Sequence, residues 1–470
     1  MIRKFLFDNK YLLLTISTIF IFIIFKIPYL KLPFYSDESW VYGPAVRIMA
    51  KNGISLMPGS LPVNYLRGHP LFFFASNALW IRIFGDSLIS IHLFNLLISC
   101  ILIFITYLFG KKYFNDFIGF SSSFILCLQP IFLAQSTMVL PEVMLTLFCV
   151  LALYFYFQHK LIWYSIFACL ATLTKETGVV VILVCCIIFL INNWRRTESR
   201  PKSFFVGITY TLLPILPFVL FIVLQRIVNG WYLFPEHLGY ISFNINTFWK
   251  KFVESCLSYL TLYQGRNFLT FSMIIMLIYI SFRKNKIEAW NIALYLFIFV
   301  FIFVLVSSFN FFTNRYILVA IPIFILLSMG IIFQIIKNTY FRAAYLLIFT
   351  LCQIQYINNK STTDHYLGFI DAVRTNQDMV KYCLENDLRD KRIGTYFFTQ
   401  VILTNKYSGY VNSDEVFTAI EGENENSDFF IIANYDSNDL LMSYRTRKDL
   451  TIIKRFERGQ AWIELYKRNI

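Results

Sequence analysis

Eleven apolar runs of 14 to 22 residues, separated by short clusters of Lys and Arg, fill most of the first 357 residues. A run of about 20 such residues is what crosses a bilayer as a helix. The 52 phenylalanines and the 19% aromatic content are more than a soluble core of this size can hide, and charged residues are only 15%. The sequence therefore predicts a polytopic α-helical membrane protein. Disorder, collagen and a disulfide scaffold are excluded by the same composition.

The runs cover residues 11–26, 88–109, 116–134, 141–157, 161–174, 176–192, 204–224, 267–282, 290–308, 316–336 and 342–357. The first lacks a small-residue cleavage site and reads as a retained helix rather than a signal peptide. Basic residues sit in alternate connections: Arg3, Lys4 and Lys10; Lys111 and Lys112; Lys160; Arg195, Arg196, Arg200 and Lys202; Arg283, Lys284 and Lys286; and Lys337. Short connections on the other side hold almost none besides Lys175 and Arg315. By the positive-inside rule the N-terminus is cytoplasmic, and about eleven spans place the C-terminus outside. Merging the runs at 161–174 and 176–192 would invert every later loop.

Two outer loops are long, at about 28–87 and 225–266, and loops of that length usually carry function. Residues 1–358 form the membrane domain, with 27 basic and 11 acidic residues. Residues 359–470 hold 15 basic and 17 acidic residues and read as a small soluble α/β domain. Within it 378–386 reads as a helix, and 392–398, 428–433 and 461–466 read as strands.

Acids are scarce enough in the membrane domain for their placement to be informative. Asp8, Asp116, Glu198 and Glu288 lie among inside bases as ordinary solvated charges. Asp37, Glu38, Glu142 and Glu176 lie at the outer ends of spans, where an ionisable group is costly and functional by default. In Tyr35-Ser36-Asp37-Glu38-Ser39-Trp40 the plain alternative is capping, with Ser36 as N-cap and Gly53 closing the helix. A carboxylate there could equally act as general base or metal ligand at the membrane surface. Leu140-Pro141-Glu142 opens a span with Pro at a helix start. Lys175-Glu176 reads either as site residues or as a local ion pair in a tight turn.

Bases on the same side are Arg67 and His69 before Pro70, His237 after Glu236, and Arg315 before Tyr316. An anionic lipid headgroup needs such cations. The alternatives are a capped turn for His69 and interfacial snorkelling for Arg315. Seven of the nine cysteines lie in apolar runs; Cys256 and Cys383 are outside. There is no CxxC, HExxH or P-loop, and nothing supports nucleotide or nucleic-acid chemistry.

In order along the chain, Asp37-Glu38, an amphipathic stretch with Ala45, Arg47 and Gly53, Arg67-Gly68-His69-Pro70-Leu71 leading to Phe84-Gly85, Glu142, Thr174-Lys175-Glu176-Thr177-Gly178 and Arg315-Tyr316 with Pro322 resemble the GT-C glycosyltransferases that use polyprenyl-phosphate sugars. The nearest branch is that of bacterial relatives of protein O-mannosyltransferases and of the lipid A aminoarabinose transferase. Pro44 departs from the pattern, inside a stretch that relatives keep helical. The resemblance implies that Asp37 is the catalytic carboxylate, with Glu38 beside it and Glu142 as the second acid. It puts His69 near the lipid phosphate and makes Lys175 and Arg315 candidate phosphate contacts; Arg67 and His237 join them as candidates for the donor phosphate because they are bases on the same side. A divalent cation, Mg2+ or Mn2+, held by Asp37 and Glu142 would serve the same end. Trp40, Tyr42, Tyr65, Phe72 and Trp231 are candidates to line sugar or isoprenoid sites.

The function so implied is inverting transfer of a sugar from a polyprenyl-phosphate donor to a glycan, lipid or protein acceptor on the outer face of the bacterial inner membrane. A transporter or flippase for lipid-linked glycans would instead carry charges deep within its spans. A polymerase or ligase of unrelated fold would share the side and the lipids.

Overall fold

The computed structural model describes residues 9–194, 201–241, 244–283, 289–422, 424–436 and 439–469. Arg3, Lys4, Asp8, Arg195, Arg196, Glu198, Arg200, Lys284, Lys286 and Glu288 lie outside the described residues.

Each of the eleven expected runs falls on helix. Among the described residues, five helices are long and apolar enough to cross a membrane: Lys10–Tyr29, Leu88–Tyr113, Glu176–Trp194, Phe204–Asn229 and Trp290–Ser307. A sixth arises if the bent pair Ile245–Leu262 and Arg266–Phe282 is one span. Most of the others are shorter, and two of them show breaks within the expected runs. Asp116–Cys127 ends before Pro130, and Ile321–Ile335 begins only after a 3-10 turn at Asn314–Val319. At 161–194 the two-helix reading holds, since Leu161–Thr174 stops at an extended Lys175 and a new helix starts at Val179. Gly178 permits the reversal: a Cβ there would lie 2.3 Å from the Ala171 carbonyl oxygen.

Pro141–Phe157 is buried from Pro141 to Leu153, and Ile321–Ile335 is buried from Ile321 to Phe333. Helices apolar on every side belong at the centre of a bundle. Leu88–Tyr113 crosses Asp116–Cys127 closely, and a Cβ on Gly110 would sit 2.6 Å from the Gly119 Cα.

The first long loop is mostly helical, contrary to a simple loop reading. Glu38–Tyr42 is π-helical and runs into the α-helix Gly43–Asn52, which Gly53 ends at φ 136°. Pro44 sits at the junction, at the start of the α-helix, where its missing N–H costs little. The apolar helix Phe72–Phe84 follows.

The C-terminal part is α/β. Its strands are β1 (Ile393–Thr395), β2 (Phe429–Ala433), β3 (Leu450–Arg458) and β4 (Ala461–Arg468), in the order β1-β2-β4-β3. β1 pairs parallel to β2, and the β2–β4 and β3–β4 pairings are antiparallel. The helix Phe369–Glu385 packs on β3 and β4, with the Tyr382 ring 6.1 Å from that of Phe456. The β3 strand went unexpected because its exposed, charged sequence carries no apolar alternation.

This part docks on the membrane bundle. The Phe34 N–H donates to the Ser408 carbonyl (3.1 Å), and Arg47 donates to the Tyr407 carbonyl (2.6 Å). Tyr35 donates to the Thr362 carbonyl (2.7 Å) and packs edge-on against Phe398. At the 88° bend before Arg266–Phe282, the buried Arg266 donates to Gln129, Gln264 and two backbone carbonyls. Gln264 in turn donates to the His365 carbonyl at 3.0 Å. A buried guanidinium so fully satisfied acts as a fixed strut.

Candidate active site

A cavity of about 850 Å³ opens where the bundle meets the C-terminal part. Asp37, Trp40, Arg67, His237, Arg315 and Asp364 are among its walls. A narrow cleft of about 80 Å³ continues from it past Tyr316 to Glu142, Lys175 and Glu176. A second, of about 90 Å³, runs between Phe218, Ile222, Phe234 and Leu238. His69 and His237 border all three spaces. A polar chamber thus joins an apolar slot at one pair of imidazoles.

Arg315 is the centre of the charge network. Its side chain is only 6% exposed, so it does not snorkel. One terminal nitrogen donates to Asp37 and the other to Asp364 at 2.6 Å. Its Nε lies 3.6 Å from Glu142. Lys175 completes the set, donating to Glu142 at 3.0 Å with its Nζ 3.7 Å from the centre of the Tyr316 ring. Lys175 and Glu176 are therefore not a local ion pair. They diverge, and Glu176 meets His69 Nδ1 at 3.0 Å.

Asp37 also differs from the capping reading. Ser36 makes no side-chain cap and holds φ 53°, a left-handed conformation uncommon for a residue with a Cβ. Asp37 instead accepts from the Trp40 indole at 3.0 Å through its other oxygen and remains 30% exposed toward the cavity. Glu38, its neighbour, points the other way. It is buried, accepts from the Val139 N–H (2.7 Å) and the Tyr35 N–H (3.2 Å), lies 3.0 Å from His92 Nε2, and does not line the cavity.

Arg67 and Gly68 are both left-handed, closing the short helix Val63–Leu66. The turn aims Arg67 and His69 at the chamber. Arg67 pairs with Glu236 at 2.8 Å and lies 5.1 Å from the Trp40 ring. His69 does sit in a turn, its N–H bonding the Leu66 carbonyl, but its ring faces Glu176 and stands 5.2 Å from that of His237. Burial, then the neighbouring His69, pushes His237 down to about 4, so it is neutral at pH 7.

Asp364 was missed in the sequence. Burial opposes its charge, but Arg315 and His365 outweigh burial and hold it down to about 2. It follows the last apolar run in Thr362-Thr363-Asp364-His365, a polar stretch on the same side as the other site residues, and that is the signal that could have found it. Of the five aromatic candidates, Trp40 and Tyr42 line the chamber; Tyr65, Phe72 and Trp231 do not.

Asp37 and Glu142 do not fit as a metal pair. Both carboxylates turn toward the same guanidinium, and Glu142 also holds Lys175. Among the described residues no three His, Cys, Asp or Glu side chains are grouped to hold an ion. All nine cysteines are free, Cys256 and Cys383 included.

The family model for dolichyl-phosphate-mannose-protein mannosyltransferase matches residues 68–221. Among solved structures, ArnT from Cupriavidus metallidurans in the apo state superposes with a TM-score of 0.54 at 12% identity, over 98% of this chain and 97% of that one. The same enzyme bound to undecaprenyl phosphate gives 0.54 at 12% identity, over 97% and 98%. An oligosaccharyltransferase of Archaeoglobus fulgidus, in complex with Zn and sulfate, gives 0.48 at 11% identity over 86% and 62%. No curated protein matches the sequence. The chain is a multi-pass membrane protein with the GT-C glycosyltransferase fold.

Proposed function

We propose that the protein transfers a sugar from a polyprenyl-phosphate donor to an envelope acceptor on the outer face of the bacterial inner membrane, with inversion. The single observation that carries this reading is Arg315, a buried guanidinium whose two terminal nitrogens are shared between Asp37 and Asp364 at a cavity wall. A guanidinium fork matches a phosphate as well as it matches carboxylates.

In the reaction so proposed, the acceptor hydroxyl attacks the anomeric carbon as the bond from that carbon to the phosphate oxygen breaks. The phosphate leaves with the bonding electrons, and the hydroxyl proton passes to Asp37. Arg315 and Lys175 meet the developing phosphate charge. The network explains the order of events. While Arg315 holds Asp37, one carboxylate oxygen is engaged; a phosphate that takes over the fork frees it as the lipid arrives. Five carboxylates (Asp37, Glu142, Glu176, Glu236, Asp364) stand against three permanent cations (Arg67, Lys175, Arg315) in this region, so protonation of His69 and His237 favours binding of an anion. The apolar slot by Phe218 and Ile222 suits the isoprenoid. Glu38 has no access to the reacting atoms and holds the backbone instead.

The charges gather at one end of the bundle, which favours chemistry at a membrane surface over transport through it. The test is lipid analysis of bacterial membranes with and without the protein. Depletion of one polyprenyl-phosphate sugar, with release of polyprenyl phosphate, is expected. Movement of intact donor across vesicles without bond cleavage would favour transport.

A further inference from the structure

Glu38 and His92 lie outside the cavity, yet they join the segments that carry its two acids. His92 is on the helix Leu88–Tyr113, and both side chains are at most 5% exposed. His92 Nδ1 faces the Leu30 carbonyl at 3.0 Å. A carbonyl only accepts, so Nδ1 carries a hydrogen. His92 Nε2 faces Glu38 Oε1 at 3.0 Å, and that oxygen also accepts from the Val139 N–H. A second proton must therefore lie between ring and carboxylate, as imidazolium with carboxylate or as imidazole with carboxylic acid. Without it, two lone pairs would face each other in a buried place.

The consequence is geometric. Glu38 Oε2 accepts from the Tyr35 N–H, two residues before Asp37, while Oε1 fixes Val139, three before Glu142. The left-handed Ser36 stands between Tyr35 and Asp37, and a conformation of that kind persists only where its surroundings over-determine it. The Phe34 ring packs edge-on against His92, 5.4 Å away, closing the pair off from water.

We propose that Glu38 and His92 are positioning residues, a proton-sharing clamp that sets Asp37 and Glu142 against Arg315 and so governs the rate of transfer without touching donor or acceptor. This rests on the transferase reading above for its kinetic part only.

The test uses the full-length protein in nanodiscs and three variants, Glu38→Gln, His92→Gln and the double substitution. Turnover is read as polyprenyl phosphate released from a bacterial extract of polyprenyl-phosphate sugars, and binding is read with undecaprenyl phosphate. Each single variant is expected to lower the saturated rate by about 30- to 100-fold, with half-saturation and undecaprenyl phosphate binding within about 3-fold of wild type. The double variant should lose no more than either single one, because the two act as a unit. Wild-type rates in either folded variant, or losses that multiply, would overturn the proposal. A second measurement is independent of turnover and of whether the variants fold. In wild-type protein labelled with 15N-histidine, the resonance assigned to His92 among the five histidines should show Nδ1 protonated and Nε2 protonated or sharing a proton. An Nε2 with an unshared lone pair would refute the clamp. If wild type releases no polyprenyl phosphate while this signal is present, the transferase reading fails and the clamp stands as structure alone.

Discussion

Arg315 and Arg458 both pair with aspartates, at opposite extremes of environment. Arg458 meets Asp378 on the surface of the C-terminal part, at 2.8 Å, with the two side chains 45% and 34% exposed. Exposed pairs of that kind contribute about 0–1 kcal/mol. Arg315 is enclosed, shared among Asp37, Asp364 and Glu142, and backed by Lys175. Removing one partner from a buried network costs about 3–5 kcal/mol, because the remaining charges lose their compensation. The Arg458 pair lies where water screens it; the Arg315 network is closed off from water and gathers several carboxylates around one guanidinium. That difference marks the site.

The comparison breaks most visibly at Arg315. Arg315→Ala should destabilise the protein by about 3–5 kcal/mol in thermal denaturation and reduce polyprenyl phosphate release by more than about 1,000-fold. Arg315→Lys, which keeps charge but loses the fork, should recover part of the stability and little of the rate.

A second test lies within the C-terminal part, which is not uniformly superficial. Asp436 is buried and accepts from the Phe398 N–H at 2.9 Å and the Thr399 N–H. Burial raises it to about 6 despite those bonds. A raised carboxyl pKa means that between pH 4 and 6 the folded state binds more protons than the unfolded one. Stability from this group therefore falls as pH rises through that window. Relative to Asp436→Asn, wild type should gain up to about 3 kcal/mol on going from pH 7 to pH 4. A difference that does not change with pH would put Asp436 with the surface acids.

Asp364→Asn should lower the rate by about 10- to 100-fold while leaving the protein folded, because it removes one of the carboxylates that set the Arg315 fork. Asp378→Asn is the control and should leave turnover unchanged.

The smallest effect is on pH. An anion near His237, which sits at about 4 in the free protein, raises its pKa, so binding takes up protons. Half-saturation for the lipid donor should improve about 3- to 10-fold from pH 6 to pH 4, and His237→Gln should flatten that slope.

The same contrast explains what the sequence could tell. With 11 acids in 359 residues, Asp37 and Glu142 stood out, and with them the bases Arg67, His69, Lys175, His237 and Arg315. The structure brings all of these to one group of connected spaces. With 17 acids after residue 359, Asp436 did not stand out from solvated neighbours, and Asp364 was marked only by its place in the polar stretch after the last apolar run. Helix positions were legible because apolar runs announce them. The breaks after Cys127 and before Ile321 lie inside apolar runs that hide them, although Pro130 and Pro322 stand at the starts of the helices that follow. Glu38 shows the limit most sharply: adjacent to Asp37 in sequence, it meets His92 while Asp37 lines the cavity. Exposed β3 gave no pattern to read, and the Phe72–Phe84 helix was absorbed into a loop by its shortness.

The most direct measurement compares wild type with Asp37→Asn in two assays at once, binding of undecaprenyl phosphate and release of polyprenyl phosphate from lipid-linked sugars. Asp37→Asn should bind the lipid at least as tightly as wild type, since Arg315 is freed for it, and release essentially no product. Wild-type release by Asp37→Asn would contradict the role of Asp37 as the base.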